Sequence, residues 1–312
     1  MTIANPGLVS IVIPCYKAEK DIPSALESIS KQTFTNWEII AVNDCWPDNT
    51  DKILADFQKC HPKQKVTFLR HDKNRGLGAT RNTAIGAASG EFIAFLDHDD
   101  IWESNHLSHG LDLMLTHSAD IYYSSVLVFN ADGTGNHWVW GPTPEDLEAF
   151  PQSIFGRNFI QPSTVIINRA FLHLLGPMDT NPKIHFCEDH DYWIRTVNLG
   201  GKFITSPEVT VRYRYANPEA ATAKIPMMLS HDISVQKKHL NTTRFFDTSI
   251  KRQAISDNYK RLAGFFWESN HTKSIFYLAH CVYWHPKNLA NVRQLIRGLI
   301  YWPYLFKRFK RA

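Results

Sequence analysis

Residues 92–100, FIAFLDHDD, run a strand-forming apolar stretch directly into three aspartates and a histidine. Like charges repel, so a buried strand that ends by collecting them calls for a positive partner at its tip. Outward from this point the chain alternates in a regular way. LVSIVIP (8–14) is a β-branched run that stops at proline, and the stretch from Ala18 to Lys31 then places Ile22, Ala25, Leu26 and Ile29 at helical spacing. WEIIAVND (37–44) is a second apolar strand, Thr50 to Phe57 a helix, KVTFLRH (65–71) a strand, Gly78 to Ala88 a helix and EFIAFLD (91–97) a strand. Such alternation predicts an α/β fold, a mostly parallel sheet with helices on both faces. Ligands of these sheets bind beyond the carboxyl ends of the strands. Pro14 to Tyr16, Asn43 to Asp44 and Asp97 to Asp100 therefore converge on one crevice.

Composition excludes several classes. The 312 residues are 44% hydrophobic, enough for a substantial core in one large domain or two small ones. Five scattered cysteines with no C-x-x-C pair argue against a disulfide framework or a cysteine zinc site and favour a reducing cytosol. The start, MTIANPGLVS, lacks the pattern of a secretory signal, and no window offers the ~20 apolar residues of a membrane span. The expectation is a protein neither exported by a cleaved signal nor integral to a membrane. Net charge is +4, but eight positive charges and no negative one follow Glu268, which leaves the first 268 residues at −4. The basic character belongs to the tail.

From about residue 110 the alternation fades and aromatics accumulate, with turns at DGTG (132–135) and GPTP (141–144). STVIINR (163–169) and KFITSPEVTVRYRY (202–215) read as strands around a helix from Asp189 to Asn198, and after Asn217 the composition turns helical. Three regions follow: 1–110, 111–220 and 221–312.

Carboxylates at the mouth of a pocket are held ionised most simply by a divalent cation, and hard oxygen ligands suit Mg²⁺ or Mn²⁺. A nucleotide diphosphate would complete the shell. The plainer alternative makes Asp99 or Asp100 the cap of a helix beginning near Trp102. His98, with His106 and His109, raises zinc, but fifteen histidines make close pairs common and no H-E-x-x-H accompanies them. There is no G-x-x-x-x-G-K-[ST], and GLGATRNTAIG (76–86) has Arg81 where the third glycine of a dinucleotide fingerprint would stand. Metal and arginine must then neutralise the diphosphate.

VSIVIPCYKAEKDIPSALESISKQTFTNWEIIAVND, DKNRGLGATRNTAIGAASGEFIAFLDHDD and CEDHDYWIR, taken in order, resemble the family-2 inverting glycosyltransferases of GT-A fold, over roughly the first 215 residues. The resemblance implies a GT-A, Rossmann-like domain with a C-terminal helical extension. It also implies transfer of a sugar from a nucleotide diphosphate donor, UDP-linked by the family pattern. Asp97-His98-Asp99 becomes the D-x-D element, with Asp99 on Mn²⁺ or Mg²⁺ and Asp97 reaching the donor ribose and the metal shell. Pro14, Tyr16 and Glu19 match the first nucleotide-contacting turn. Asp44 matches the carboxylate that accepts from base or ribose. Asn74, Gly76, Arg81 and Asn82 match an N-x-G-x-x-x-x-R-N run, with Arg81 as the donor-side cation. Lys17 stands where the family carries asparagine, and Asn43-Asp44-Cys45 replaces two aspartates and a glycine, so the resemblance bears less on the base than on the diphosphate.

In the same reading Asp189 is the base that takes the acceptor's proton, as attack opposite the leaving group requires, and Glu188 orients it or the acceptor. Asp191, Trp193 and Arg195 resemble the helix packed beneath the site. Without the upstream motifs the acidic run would read as a helix start stabilised by the macrodipole. RYRYANPEAATAK (212–224) is a lid candidate, with Arg212 or Arg214 facing phosphate or simply solvated. Residues 251–285 read as a helical hairpin on the catalytic domain. NVRQLIRGLIYWPYLFKRFKRA (291–312) interleaves aromatics and leucines with cations, which suits an anionic membrane surface at the cytoplasmic face. No recognition module supports nucleic acid binding. The leading expectation is a metal-dependent transferase acting on a glycan or lipid-linked acceptor in surface polysaccharide or lipo-oligosaccharide synthesis. A noncatalytic sugar-nucleotide or glycan-binding protein and a metal-dependent hydrolase or nucleotidyltransferase are the alternatives.

Overall fold

The computed structural model describes residues 5–130, 137–215, 225–241 and 245–309; the side chains of residue 6 and of residues 301–309 lie outside that description. The turn read at 132–135 and most of the lid candidate, 216–224, also lie outside the described residues.

The first half is built as the alternation implies. β1 (Asn5–Cys15), α1 (Ile22–Ser30), β2 (Trp37–Asn43), α2 (Thr50–Cys60), β3 (Val66–Arg70), α3 (Leu77–Ala87) and β4 (Gly90–Phe95) follow in order, and β3, β2, β1 and β4 lie side by side in parallel. Successive strand residues face opposite sides of a sheet, which is why β1 is apolar from Leu8 to Cys15 apart from Ser10, whose hydroxyl donates to Glu38. Ile11 and Ile13 join the core on one face with Ile22, Leu26 and Leu107, whereas Val12 joins the other with Phe95, Tyr123 and Trp193. Each such buried side chain contributes roughly 1.5–3 kcal/mol.

Asp100 caps no helix near Trp102. Residues Ile101–Trp102 form a two-residue strand, β5, and the next helix, α4, spans His106–His117. Pairing with a later strand explains the difference: Ile101 lies opposite Arg212 and Trp102 opposite Val211. His106 and His109 serve packing, with Nδ1 of His106 2.8 Å from Thr210 Oγ1 and Nε2 of His109 2.8 Å from Ser206 Oγ.

β6 (Ile121–Asn130), β7 (Trp138–Trp140), α5 (Pro144–Glu148), α6 (Gln152–Gly156), β8 (Ile166–Asn168), α7 (Arg169–Leu175), α8 (Glu188–Asn198) and β9 (Phe203–Tyr215) form the second half. The strand read over 163–169 is shorter in the structure. Pro162–Thr164 make a 3₁₀ turn, and Asn168, the last residue of β8, also caps α7, its Oδ1 accepting from the backbone of Ala170 and Phe171. The sheet runs β3-β2-β1-β4-β8-β6-β9-β5, with β7 paired to β6. Antiparallel β8 joins the parallel half to the parallel β6–β9 pair.

Four helices follow among the described residues: α9 (Ile225–Lys238), α10 (Thr248–Phe266), α11 (His271–Trp284) and α12 (Leu289–Phe309). The hairpin of α10 and α11 meets the domain through α10, which packs on α9 and α6, while α11 packs on α10 and α12 on α11. Leu229, Ile233, Ile255, Tyr259, Leu262 and Cys281 form a separate small core there.

Candidate active site

The carboxyl ends of β1, β2 and β4 meet at one edge of the sheet, because parallel pairing in register places Cys15 opposite Asn43 and carries β4 alongside. The two turns after β1 and β2 need unusual backbone. Lys17 and Cys45 take left-handed conformations, with φ of 55° and 61°, which side-chain-bearing residues keep only where the surroundings hold them. Tyr16, after Pro14 and Cys15, remains 39% exposed, and its ring stands edge-on to Trp46 at 5.1 Å. Lys17 Nζ lies 4.5 Å from the centre of the Trp46 ring. Glu19 ties the two turns together by accepting from the Nδ2 and the backbone N–H of Asn49.

Asp44 is buried, and its carboxylate organises a third loop. Oδ1 accepts from the Arg75 backbone at 2.8 Å and lies 2.7 Å from His71 Nδ1, and Oδ2 accepts from the Gly76 backbone at 2.9 Å. Gly76 begins α3 at φ +84°, and a Cβ there would lie 3.2 Å from the His185 ring. Asn74 in the same loop is exposed. Asn82 clamps Met178, giving and receiving a backbone bond at 2.8 Å each way.

Arg81 has a setting different from an open donor-side cation. It is 1% exposed on α3, with Nη2 2.7 Å from Asp97 Oδ1 and Nη1 3.2 Å from Glu188 Oε1. One guanidinium thus joins the end of β4 to the start of α8. Charge-assisted, forked contacts of this kind are what arginine makes and lysine cannot. The site's positive partner for its strand-end acids is in part the protein's own.

Asp97, His98 and Asp99 are half-buried, and Asp100 is buried. Asp100 is structural: Oδ2 accepts from Ser163 Oγ at 2.5 Å and Oδ1 from the Arg214 backbone at 3.1 Å. Ser163 also accepts from the Asp97 backbone, so one hydroxyl fixes both ends of the acidic turn. His98 Nδ1 sits 3.1 Å from the Pro14 carbonyl, linking this turn to β1. Arg214 is neither solvated nor free, since its Nε donates to the Asp99 carbonyl at 2.9 Å and it stacks over Phe129 together with Arg212. The Asp99 carboxylate makes no hydrogen bond or ion pair to another described side chain; its pKa is raised, first by burial and then by Asp97 and Asp21 against the opposing His98.

α8 opens with Glu188, Asp189 and Asp191 in its first turn, where the helix N-terminus favours negative charge. The preceding Phe186 takes a left-handed backbone with φ of 66°. Burial pushes Glu188 up to about 7, with Arg81 pulling it down and Asp189 adding to the rise. Its Oε2 and Nε of Arg81 are buried without a hydrogen-bond partner among the described residues. Asp189, 9% exposed, accepts from Asn158 Nδ2 at 2.9 Å and from the His190 backbone at 2.8 Å. Burial raises its pKa too, opposed by Arg81, Asn158 and His190. Asp191 points the other way, fully buried against Lys238 at 2.6 Å and His239 at 2.7 Å. Trp193 donates to the Ile160 carbonyl beneath the site.

Sequence reasoning reached most of these positions but missed Trp46, Asn158 and Ser163. A lone serine or asparagine carries no spacing signal. Trp46 offered one, an aromatic two residues after Asp44 at a strand end.

The curled α/β sheet, with turns converging at its strand ends around an acid-closed centre, has the GT-A fold. The sequence model of glycosyl transferase family 2 matches residues 10–181, and the chain belongs to that family. It is 37% identical over 192 residues to UDP-Glc:alpha-D-GlcNAc-diphosphoundecaprenol beta-1,3-glucosyltransferase WfgD of Escherichia coli, covering 60% of this chain and 68% of that protein. The fold is shared with S. aureus TarS 1-349 in complex with UDP-GlcNAc, at a TM-score of 0.66, 20% identity, and 88% and 81% of the two chains. It is shared also with the Pyrobaculum calidifontis mannosyltransferase PcManGT in complex with GDP-Man and Mn²⁺, at 0.61, 16%, and 94% and 86%.

Proposed function

We propose that the protein transfers a sugar, with inversion, from a UDP-sugar to a hydroxyl of a glycan or lipid-linked acceptor during surface polysaccharide or lipo-oligosaccharide synthesis. The observation that carries the reading is Asp189: a buried carboxylate fixed by two hydrogen bonds at the mouth of the strand-end crevice, beside the Arg81–Asp97–Glu188 cluster. Burial raises the proton affinity of this carboxylate, which is what a base for the acceptor hydroxyl needs. As the acceptor oxygen bonds to the anomeric carbon, its proton passes to Asp189 and the bond to the donor's diphosphate breaks. Glu188 and Arg81 hold that carboxylate and the end of β4 in fixed relation. Residues 1–110 would bind the nucleotide, with Tyr16, Trp46 and Lys17 around the base and Glu19, Asp44, Asn74 and Gly76 shaping its loops. Residues 111–220 would present the base and the acceptor.

The donor set fits a divalent cation. Among the described residues, Asp99 brings a carboxylate without a side-chain partner and Asp97 an oxygen that Arg81 does not hold. Among the described residues no group of three or more His, Cys, Asp or Glu could hold a metal alone. A hard cation with two carboxylates fills its remaining positions with phosphate oxygens and water, as Mg²⁺ does in phosphate-transfer sites. Such an ion, Mn²⁺ or Mg²⁺, would stabilise charge on the departing diphosphate.

The name of the E. coli relative supports a lipid-diphosphate-linked acceptor, and α12 supports action at a membrane surface. No helix among the described residues is long and apolar enough to cross a membrane. On α12, Leu289, Ile296, Leu299 and Ile300 are exposed beside Arg293 and Arg297, a surface suited to the anionic cytoplasmic face. The reading is tested by nucleoside diphosphate release from UDP, GDP and TDP sugars, using α-N-acetylglucosaminyl diphosphate on an alkyl chain as acceptor probe. Acceptor-dependent release from a UDP-sugar supports it, whereas acceptor-independent release indicates a hydrolase and tight binding without release a binding protein.

A further inference from the structure

His190 follows the proposed base, and its ring turns into the protein, 0% exposed. Nδ1 meets Oδ1 of Asp232 on α9, and Nε2 lies 2.6 Å from the Ile154 carbonyl on α6. Both partners are acceptors. A neutral imidazole has one N–H, so it would satisfy one of them and set a lone pair against the oxygen of the other. The ring between these two oxygens therefore carries both protons. Asp232 answers that charge, and its second oxygen accepts from Asn258 Nδ2 on α10 at 2.7 Å. Asn258 donates also to Gln236, whose amide donates to the Phe155 carbonyl, so the chain of bonds returns to α6. Nothing in the sugar-transfer chemistry derived above uses a buried cation at this place.

We propose that His190 is a positioning residue for transfer, a permanently charged imidazolium anchored by Asp232 of the C-terminal helices that holds the Asp189 carboxylate in place and ionised. The inference rests on the reading of Asp189 as the base. The two residues are joined directly, because the His190 backbone N–H donates to Asp189 Oδ1 at 2.8 Å. The groups that face the ring are Asp232 from α9, the Ile154 carbonyl from α6, and Asp189 on its own helix, with Asn258 of α10 behind Asp232. Burial alone would lower the imidazole, but Asp232, the Ile154 carbonyl and Asp189 outweigh it and raise it above its ordinary value. The Cys187 thiol, also near Asp232 and Asp189, is pushed up by burial and stays neutral. In return the imidazolium is one of the groups that hold Asp189 down against its own burial. The C-terminal helices thereby reach Asp189 through His190.

The test uses the full chain in two arms. Histidine ¹⁵N spectra of the unmodified protein at pH 8, with His190 identified by its change in Asp232→Asn, are expected to show one imidazole with both nitrogens protonated. For His190→Asn, kcat is expected to fall roughly tenfold, less than the roughly 10²- to 10⁴-fold of a lost acid–base group, because His190 acts through Asp189. The acidic limb of its pH profile should move upward by about one unit as Asp189 loses a neighbouring cation. The donor KM should stay within twofold of wild type, a split that general loosening of the fold does not give. A His190 that is neutral at pH 8, or a His190→Asn profile that superimposes on wild type, overturns the proposal. Should His190→Asn not fold, the spectra of the unmodified protein and the Asp232→Asn pH profile decide. Asp189→Asn in parallel separates the two readings: transfer retained there removes the base assignment itself, whereas transfer lost there with a wild-type His190→Asn profile removes only the role of His190.

Discussion

Nη1 of Arg81 and Oε1 of Glu188 lie 3.2 Å apart across 107 residues of sequence, and both side chains are buried. The other guanidinium nitrogen holds Asp97. Removing the cation leaves two acids in a dry site without their partner. Arg81→Met is expected to cost about 3–5 kcal/mol in urea unfolding, the penalty of an uncompensated buried charge. Arg81→Lys keeps the charge but not the fork, so it should recover part of the stability and little of the transfer rate. Stability equal to wild type in Arg81→Met would show that the bridge does not hold the site.

Glu188 gives a pH dependence with a definite sign. Its folded pKa, about 7, lies above the ordinary 4.5, so the folded protein binds more protons than the unfolded chain between those values. Unfolding free energy from this group then falls as pH rises from about 4.5 to about 7, and the loss is complete above the folded value. Glu188→Gln removes the titration. In chelator, the difference in Tm between pH 5 and pH 8 should be smaller in the variant than in wild type. Identical differences would contradict the burial argument.

Asp99 separates metal binding from folding, because only its backbone carbonyl is used by Arg214. Chelation should abolish donor turnover, and Mn²⁺ should restore it. Asp99→Asn is expected to leave Tm unchanged while raising the Mn²⁺ needed for half-maximal activity at least roughly tenfold, since even groups behind a ligand cost that much. Full activity in chelator would refute the cation reading of the acidic turn.

The exposed apolar and cationic groups of α12 predict sedimentation with vesicles. Binding to vesicles rich in anionic lipid should exceed binding to neutral ones and weaken with salt. Arg293→Glu with Arg297→Glu should reduce it by about 2–4 kcal/mol, from the loss and reversal of two charges near the surface. Equal binding to both lipids would assign α12 to packing alone.

Much of the fold was legible because β1, β2 and β4 are buried on both faces and show it as mainly apolar runs that lead into polar residues. The convergence of Tyr16, Asp44 and Asp97 followed from strand polarity alone. What the chain did not disclose were pairings that depend on distant partners. Nothing near Arg81 announces Glu188, and nothing near His190 announces Asp232 on a helix 42 residues on. The strand over 163–169 is shorter in the structure because Pro162–Thr164 form a 3₁₀ turn and Arg169 begins α7, and Asp100 caps no helix because Ile101 and Trp102 meet β9, which is more than 100 residues away. Local pattern reports burial and strand direction; it does not report which buried charge meets which.

The most direct measurement is single-turnover sugar transfer by Asp189→Asn, with donor affinity determined on the same protein by calorimetry. An amide fills the same space, can keep through its single oxygen either the bond from Asn158 or the one from the His190 backbone, and cannot take a proton. Transfer slowed roughly 10²- to 10⁴-fold with unchanged donor affinity is the predicted result. Transfer at the wild-type rate would show that another group receives the acceptor's proton and would overturn the account of this site.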